Sequence, residues 1–317
     1  VSAVSDLTSA VAAEGVIAPG RPLVVLYSGG RDSTCLLDVA VAIADPGSVA
    51  ALHVNYGLRA SADGDEAHCA GVCAGLGIAL HVHRPGPRPS SGNLQAWARE
   101  ERYGAARRLA AVVGDGARLA AGHTATDQVE TILYRLASSP SRRALLGMRV
   151  SDGDLVRPLL SFTRAQTGDH CRARGLVWRE DETNDGDTYA RGRVRHGLVP
   201  ALERVHPAAE ANVRALAEVL AAEAAVLDEL VDGILGGAER EIAVATLRAQ
   251  PPAMRRLLVQ RLADAAAGEP AAGVARRAEE IAALPQTGAA DLHLPHGVRA
   301  RARRGIIAFD RTPPRPS

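Results

Sequence analysis

An apolar run, Leu23-Val24-Val25-Leu26-Tyr27, leads straight into Ser28-Gly29-Gly30 and then into a stretch with helical spacing over residues 33–44. No other feature restricts the fold as much. Five apolar residues bounded by a turn read as a short buried strand. Two consecutive glycines let the backbone reverse tightly and leave no Cβ in the way of an approaching group. The helix that follows offers unpaired N–H groups and the positive end of its dipole to an anion. The same alternation then repeats. Strands are expected over residues 49–56, 78–83 and 118–122, with helices over 61–75, 93–113 and 126–137. Strands alternating with helices predict an α/β fold, a parallel sheet with helices on both faces. Ligands of such sheets bind at the carboxyl ends of the strands, where Ser28, His53 and His123 fall.

Beyond residue 147 the pattern weakens. An extended stretch is expected from Arg157-Pro158, a helix over 163–174, a short strand over 176–178 and helical character over 191–204. A long helix over 208–235, a helix over 253–267 and short strands near 290–294 and 305–309 suggest a smaller, mainly helical α+β domain. The expected division is 1–208 and 209–317. With 317 residues and 47% hydrophobic content, the chain can build two cores, largely from aliphatic residues because aromatics are only 3%.

The formal net charge of +1 neither demands nor excludes a nucleic-acid partner. All 37 Lys-plus-Arg positions are arginine, so any permanently cationic contact to phosphate must come from Arg. The four cysteines, Cys35, Cys69, Cys73 and Cys171, include no CxxC pair and read as buried thiols. There is no signal-peptide pattern and no apolar run of about 20 residues, so a soluble cytoplasmic protein without a membrane partner is expected.

Asp32 lies inside the anion-binding loop Ser28-Gly29-Gly30-Arg31-Asp32-Ser33. A carboxylate beside phosphates is repelled unless a cation intervenes, and Mg²⁺ would serve; the other reading is that Asp32 only complements the helix N-terminus. Asp127, Glu130, Thr131 and Tyr134 recur at helical spacing on one face. Spacing alone favours a solvated face over a site.

The full string SGGxDS after an apolar strand resembles the PP-loop of the ATP pyrophosphatase superfamily, and further segments resemble the tRNA(Ile)-lysidine synthetase family. They are His53-Val54-Asn55-Tyr56-Gly57-Leu58-Arg59; Ala98-Arg99-Glu100-Glu101-Arg102-Tyr103; Gly122-His123 with Asp127-Gln128-Val129-Glu130-Thr131; and Arg157-Pro158-Leu159-Leu160 through Glu180-Asp181-Glu182-Thr183-Asn184 to Arg191-Gly192-Arg193-Val194-Arg195-His196. They follow the family's order over roughly residues 20–205. The chain departs from the family at Tyr56, where a His is usual, and at Thr124 and Thr126, where a second His and an acidic residue are usual. A Gly-rich loop is replaced by Ala137-Ser138-Ser139-Pro140-Ser141-Arg142-Arg143.

The resemblance implies a ligase that joins lysine to the wobble cytidine of an isoleucine tRNA, using ATP and Mg²⁺ through an adenylated tRNA. It implies Ser28, Gly29, Gly30, Arg31, Asp32, Ser33 and His53 as the ATP site, with Mg²⁺ reaching Asp32 through phosphates. Asp32 and Asp127 are the implied catalytic carboxylates. Arg59, Arg99, Arg102, His123, Glu130, Arg191, Arg193 and Arg195 are candidates for substrate and tRNA contact. The partners expected are tRNA, L-lysine and ATP, with a homodimer as a candidate assembly. The rivals are another PP-loop enzyme, such as a tRNA thiolase or a small-molecule ATP-dependent ligase, and an RNA-binding protein with a decayed nucleotide site. The cysteine spacing is poor for sulfur transfer, and retention of both Asp32 and Asp127 argues against decay.

Overall fold

The computed structural model describes residues 3–58, 60–89, 92–139, 142–180 and 190–312. They form two compact units, Val1–Ala217 and Glu218–Ser317. In the first, α1 (Ala3–Ala13) precedes β1 (Leu23–Leu26), α2 (Arg31–Ala44), β2 (Val49–Val54), α3 (Ala62–Leu76), β3 (Ala79–His83), α4 (Leu94–Val113), β4 (Arg118–Ala121) and α5 (Ala125–Ser138). A small hairpin of β5 (Ser151–Asp152) and β6 (Leu155–Val156) and the helix α6 (Arg164–Ala173) follow. Next come α7 (Ala190–Arg193), a wider π-helical turn over Val194–Leu198, and α8 (Val199–Val205). The long helix α9 (Ala209–Leu235) crosses the division between the units.

The sheet of the first unit has the order β3-β2-β1-β4-β6-β5. All its pairings are parallel except β5 with β6. All four residues of β1 are buried because its side chains feed two cores. Leu23, Val25 and Tyr27 pack on one face with α2 residues such as Cys35, Leu36 and Val39. Val24 and Leu26 pack on the other with Tyr103, Ala105 and Ala106 of α4. The period-two alternation of a strand makes this double burial unavoidable. The order also has β1 flanked by β2 on one side and β4 on the other. A doubly wound sheet opens a crevice at that point, outside the strand ends.

The second unit contains β7 (Glu241–Ala243), α10 (Val244–Ala249), α11 (Pro252–Ala267), α12 (Ala278–Ala282), β8 (Ala289–His293), β9 (Val298–Arg303) and β10 (Ile306–Arg311). Its strands form an antiparallel sheet in the order β7-β10-β9-β8. In β9, Val298, Ala300 and Ala302 are buried in a core with Leu258, Leu262 and Phe309. Arg299 and Arg301 point the other way and pair with Asp291, and Arg301 also pairs with Asp310.

Two local expectations fail. Residues 176–178 form no strand; the chain makes a single bridge, with the Arg179 N–H donating to Gly29 O at 2.9 Å. Beyond that bridge the triplet pairs with no neighbouring strand, and Leu176 and Trp178 pack against the core instead. Residues 157–160 are a turn rather than an extended stretch, because β6 has already ended at Val156.

Candidate active site

The first half of the site is the turn between β1 and α2. Gly29 has φ +81°, and a Cβ there would lie 3.0 Å from Cys69 Sγ, so this position calls for glycine. The loop is laced by its two serines. Ser28 Oγ and Ser33 Oγ lie 3.0 Å apart, Gly30 N–H donates to Ser28 Oγ at 3.3 Å, and Ser33 Oγ donates to Gly30 O at 2.9 Å. No side chain caps the start of α2, which leaves its first N–H groups to an anion. His53, at the end of β2, is buried and donates from Nδ1 to Tyr27 O at 3.1 Å, bracing the strand end that carries the loop.

Asp32 opens α2 and is held from three sides. Thr167 Oγ1 donates to its Oδ1 at 2.5 Å, Arg31 Nε to Oδ1 at 3.3 Å, and Arg164 Nε to Oδ2 at 3.3 Å. Gly122, at the end of β4, fits against it closely: a Cβ there would lie 3.1 Å from the Asp32 carbonyl and from Ser33 N. The phosphate loop and the end of β4 are therefore in van der Waals contact.

The second half starts at that β4 end. Thr124 caps α5 in a reciprocal box with Asp127: Thr124 N–H and Oγ1 both donate to Asp127 Oδ2 at 2.8 Å. One turn on, Glu130 is buried and receives Arg195 in two parallel bonds, Nε to Oε1 at 2.6 Å and Nη2 to Oε2 at 2.9 Å. Arg195 Nη2 also lies 3.7 Å from Asp127 Oδ1. The hydrogen bond to Glu130 raises Arg195 above the usual guanidinium range, and the Asp127 and Asp32 charges add to it. One arginine thus lies in the field of all three carboxylates. Its position within the wide turn of Val194–Leu198 fits the habit of such turns to occur at functional sites.

His123 lies between β4 and α5. Burial, outweighing the nearby Asp127 carboxylate, pushes its imidazole down to about 4, with Arg157, Arg102 and Arg191 adding to the shift. Its Nδ1 is buried with no hydrogen-bond partner among the described residues. A neutral ring with an open acceptor can take a hydrogen bond from a substrate.

Several arginines share one electrostatic field with His123. Arg99 stacks 4.7 Å over the Tyr103 ring and Arg102 5.8 Å from it. Arg135 donates to Gly147 O at 2.8 Å and Arg157 to Arg149 O at 2.6 Å. Burial lowers both of these guanidinium groups, and Arg99 reinforces the shift by like-charge repulsion. Arg191 belongs to the same field, and Arg191 and Arg193 are exposed on α7. Arg59 lies outside the described residues, as do Asp181-Glu182-Thr183-Asn184. Sequence reasoning missed Arg135, Arg164 and Thr167, and it named Arg157 and Gln128 only within family segments, without a role; these five contribute here. Gln128 clasps the backbone of Met148, donating to its O at 2.9 Å and accepting from its N–H at 2.7 Å. None of the five carries a spacing signal of its own; each matters through a partner far along the chain.

All four cysteines are buried. Burial pushes the Cys69 and Cys73 thiols up to about 12 and about 11, away from the thiolate state that sulfur chemistry needs. No helix among the described residues is long and apolar enough to cross a membrane.

The glycine turn after β1, set against the end of β4 in a doubly wound sheet, lies within a stretch that a family model described as a PP-loop domain matches, residues 5–202. Among solved structures, a U34-tRNA thiolase from Methanococcus maripaludis is similar with a TM-score of 0.56 at 17% identity, over 69% of this chain and 78% of that one. At that identity the likeness speaks for the fold alone. Curated relatives go further. A tRNA(Ile)-lysidine synthase from Thermus thermophilus is 35% identical over 310 residues, covering 95% of this chain and 58% of that protein. One from Geobacter sulfurreducens is 32% identical over 321 residues, covering 95% of this chain and 67% of that protein. One from Pseudomonas fluorescens is 37% identical over 213 residues, covering 65% and 47%. The chain belongs to the tRNA(Ile)-lysidine synthase family of PP-loop proteins. It spans little more than half the length of its Thermus relative.

Proposed function

We propose that this chain activates the wobble cytidine of an isoleucine tRNA with ATP and joins lysine to it. The observation that carries the reading is the junction of the two halves. A phosphate loop with an uncapped helix start touches the end of β4 at Gly122, and β4 leads into a carboxylate pair bridged by one arginine. Two reactants can meet there over one base. The loop N–H groups would bind the ATP phosphates and stabilise the negative charge that builds on the α-phosphate as the cytosine 2-oxygen attacks and pyrophosphate leaves.

Asp32 is the residue that would hold Mg²⁺. Its carboxylate is largely buried beside the loop, a hard oxygen donor of the type Mg²⁺ takes. Among the described residues no group of three or more His, Cys, Asp or Glu could hold a metal, so phosphate oxygens and water would complete the shell. When bound, the ion supplies charge neutralisation on the phosphates.

Lysine must shed a proton before it attacks, because its ammonium has a pKa near 10.4. Asp127 offers an oxygen, Oδ1, that the helix cap does not use, and that oxygen would hold the ammonium and accept the proton as the amine displaces AMP. The unpartnered Nδ1 of His123 and the arginines at 102 and 191 in its field, with Arg99 beside Arg102 on Tyr103, would position the flipped nucleotide and its phosphate. Homodimerisation belongs to the same proposal: Leu216, Val219, Val226 and Leu230 are exposed along α9, apolar surface that a second copy would cover, and sedimentation tests it. The functional test is pyrophosphate release with ATP, tRNA and lysine. Release that needs tRNA and rises with lysine supports the reading. Release that ignores tRNA points instead to a small-molecule ligase.

A further inference from the structure

Asp32 is not left open for a cation; α6 holds it. Arg164, Thr167, His170 and Arg174 recur at three- and four-residue steps, so one face of α6 and its end meets α2. Thr167 is fully buried and donates to Asp32 Oδ1 at 2.5 Å. Arg164 donates to Asp32 Oδ2 at 3.3 Å. Farther down, Asp38 of α2 is buried and accepts from His170 Nε2 at 2.8 Å and from Arg174 Nε at 3.1 Å. Burial would raise the Asp38 carboxyl, but these two hydrogen bonds hold it below the usual range. The helix start is fixed as well. Thr163 and Gln166 form a reciprocal cap, and Arg164 N–H donates to Thr126 Oγ1 of α5 at 3.4 Å. Anchored at both ends, α6 presents Thr167 to Asp32 with little freedom.

Arg31 shares Oδ1 with Thr167, at 3.3 Å, from within α2 itself, and the two contacts that α6 adds differ in kind. The Thr167 hydroxyl is buried and neutral, so it can orient the carboxylate while leaving its charge intact. Arg164 is partly exposed and charged, and it claims the second oxygen with the same attraction a metal ion would use. We propose that Thr167 and Arg164 are positioning residues for Asp32. Thr167 fixes the carboxylate in the orientation that receives the divalent cation of a nucleoside triphosphate, and Arg164 is the displaceable counter-charge that occupies Oδ2 until that cation arrives. The inference rests on the nucleotide-binding part of the proposed function and goes beyond it, because α6 lies outside the phosphate loop and its signature.

The test is equilibrium binding of α,β-methylene ATP, which cannot be cleaved between those phosphates, to the intact chain without tRNA or lysine. Nucleotide is fixed and Mg²⁺ is titrated. Thr167→Val keeps the side-chain shape and removes the hydroxyl. It raises the Mg²⁺ concentration for half-binding by roughly tenfold or more, as loss of an outer partner of a metal ligand does. Thr167→Ser restores the wild-type value. Arg164→Gln lowers the requirement by about threefold, the scale of a partly exposed ion pair. A merely structural role for α6 would shift melting temperature in all three variants and would not move the Mg²⁺ requirement in opposite directions. A Thr167→Val titration that overlays wild type, a Thr167→Ser titration that does not, or an Arg164→Gln titration that is unchanged or raised overturns the proposal. If Thr167→Val does not fold, the other two variants decide. Wild-type protein with no Mg²⁺-dependent nucleotide binding would instead overturn the functional reading itself, and this proposal with it.

Discussion

If the proposed reaction holds, replacing Asp127 should separate its two chemical steps from each other and from folding. The carboxylate has two jobs on two oxygens. Oδ2 accepts from Thr124 N–H and Oγ1 at 2.8 Å, closing the cap of α5, while Oδ1 lies 3.7 Å from Arg195 and belongs to the site. Asp127→Ala removes both jobs. Thr124 Oγ1 still accepts from the residue-127 N–H, so losing the Asp127 arm of the box costs about 1 kcal/mol of stability at most, a small loss for a chain whose α5 is also held by Val129, Ile132 and Leu133 in the core. Asp127→Asn keeps an oxygen for the Thr124 N–H and should fold with less loss than that. In the proposed role both variants would lack a base for the lysine ammonium, and loss of a positioned general base slows a step by roughly 10²–10⁴-fold. Adenylation, which draws on the phosphate loop and Asp32, should slow far less. In rapid-quench experiments with α-labelled ATP and isoleucine tRNA, label should reach tRNA at a near-normal rate and persist there before slow lysine incorporation. Equal slowing of both steps in Asp127→Asn would refute this division and make Asp127 a group that positions the cytidine or the metal.

Asp32→Asn should fold normally yet lose adenylation by about 10³-fold or more, read as pyrophosphate release, since it removes the charge that draws the cation to the phosphates. Glu130→Gln leaves Arg195 without its bidentate partner in a mostly buried setting, and urea unfolding should register a loss of about 3 kcal/mol. His123 fixes a pH dependence. Its folded value of about 4 lies below the ordinary 6.5, so the unfolded chain takes up the proton first and stability falls as pH drops from about 6.5 toward about 4. In His123→Gln that part of the slope should vanish, and identical slopes for wild type and variant between pH 7 and 5 would show that His123 is not buried in solution. Arg303 and Arg304 are exposed at the end of β9; if they meet RNA phosphates, replacing both with Ala should reduce the slope of log affinity for tRNA against log salt by about 2.

Much of the architecture was legible in the sequence because it is written in local terms. The run Leu23–Tyr27, the Gly pair and the helical spacing after it specify a buried strand, a phosphate turn and an N-terminus without reference to anything distant, and the repeat of that pattern specifies a doubly wound sheet. In the second unit no strand was expected at β9, although Val-Arg-Ala-Arg-Ala-Arg alternates with period two; pairing with β8 and β10 buries its small residues and sets Arg299 and Arg301 beside Asp291 and Asp310. The motifs likewise named Asp32, Asp127, Glu130 and Arg195, but not their relations. That Arg195 bridges Asp127 and Glu130, that His123 is kept neutral, and that Thr167 and Arg164 hold Asp32 across 135 and 132 residues of chain were decided by the tertiary structure. The physical reason is range. Turn chemistry and periodicity act over a few residues and can be read in order, whereas a hydrogen bond or a charge acts through space, and its partner is known only once the sheet has brought distant strand ends together.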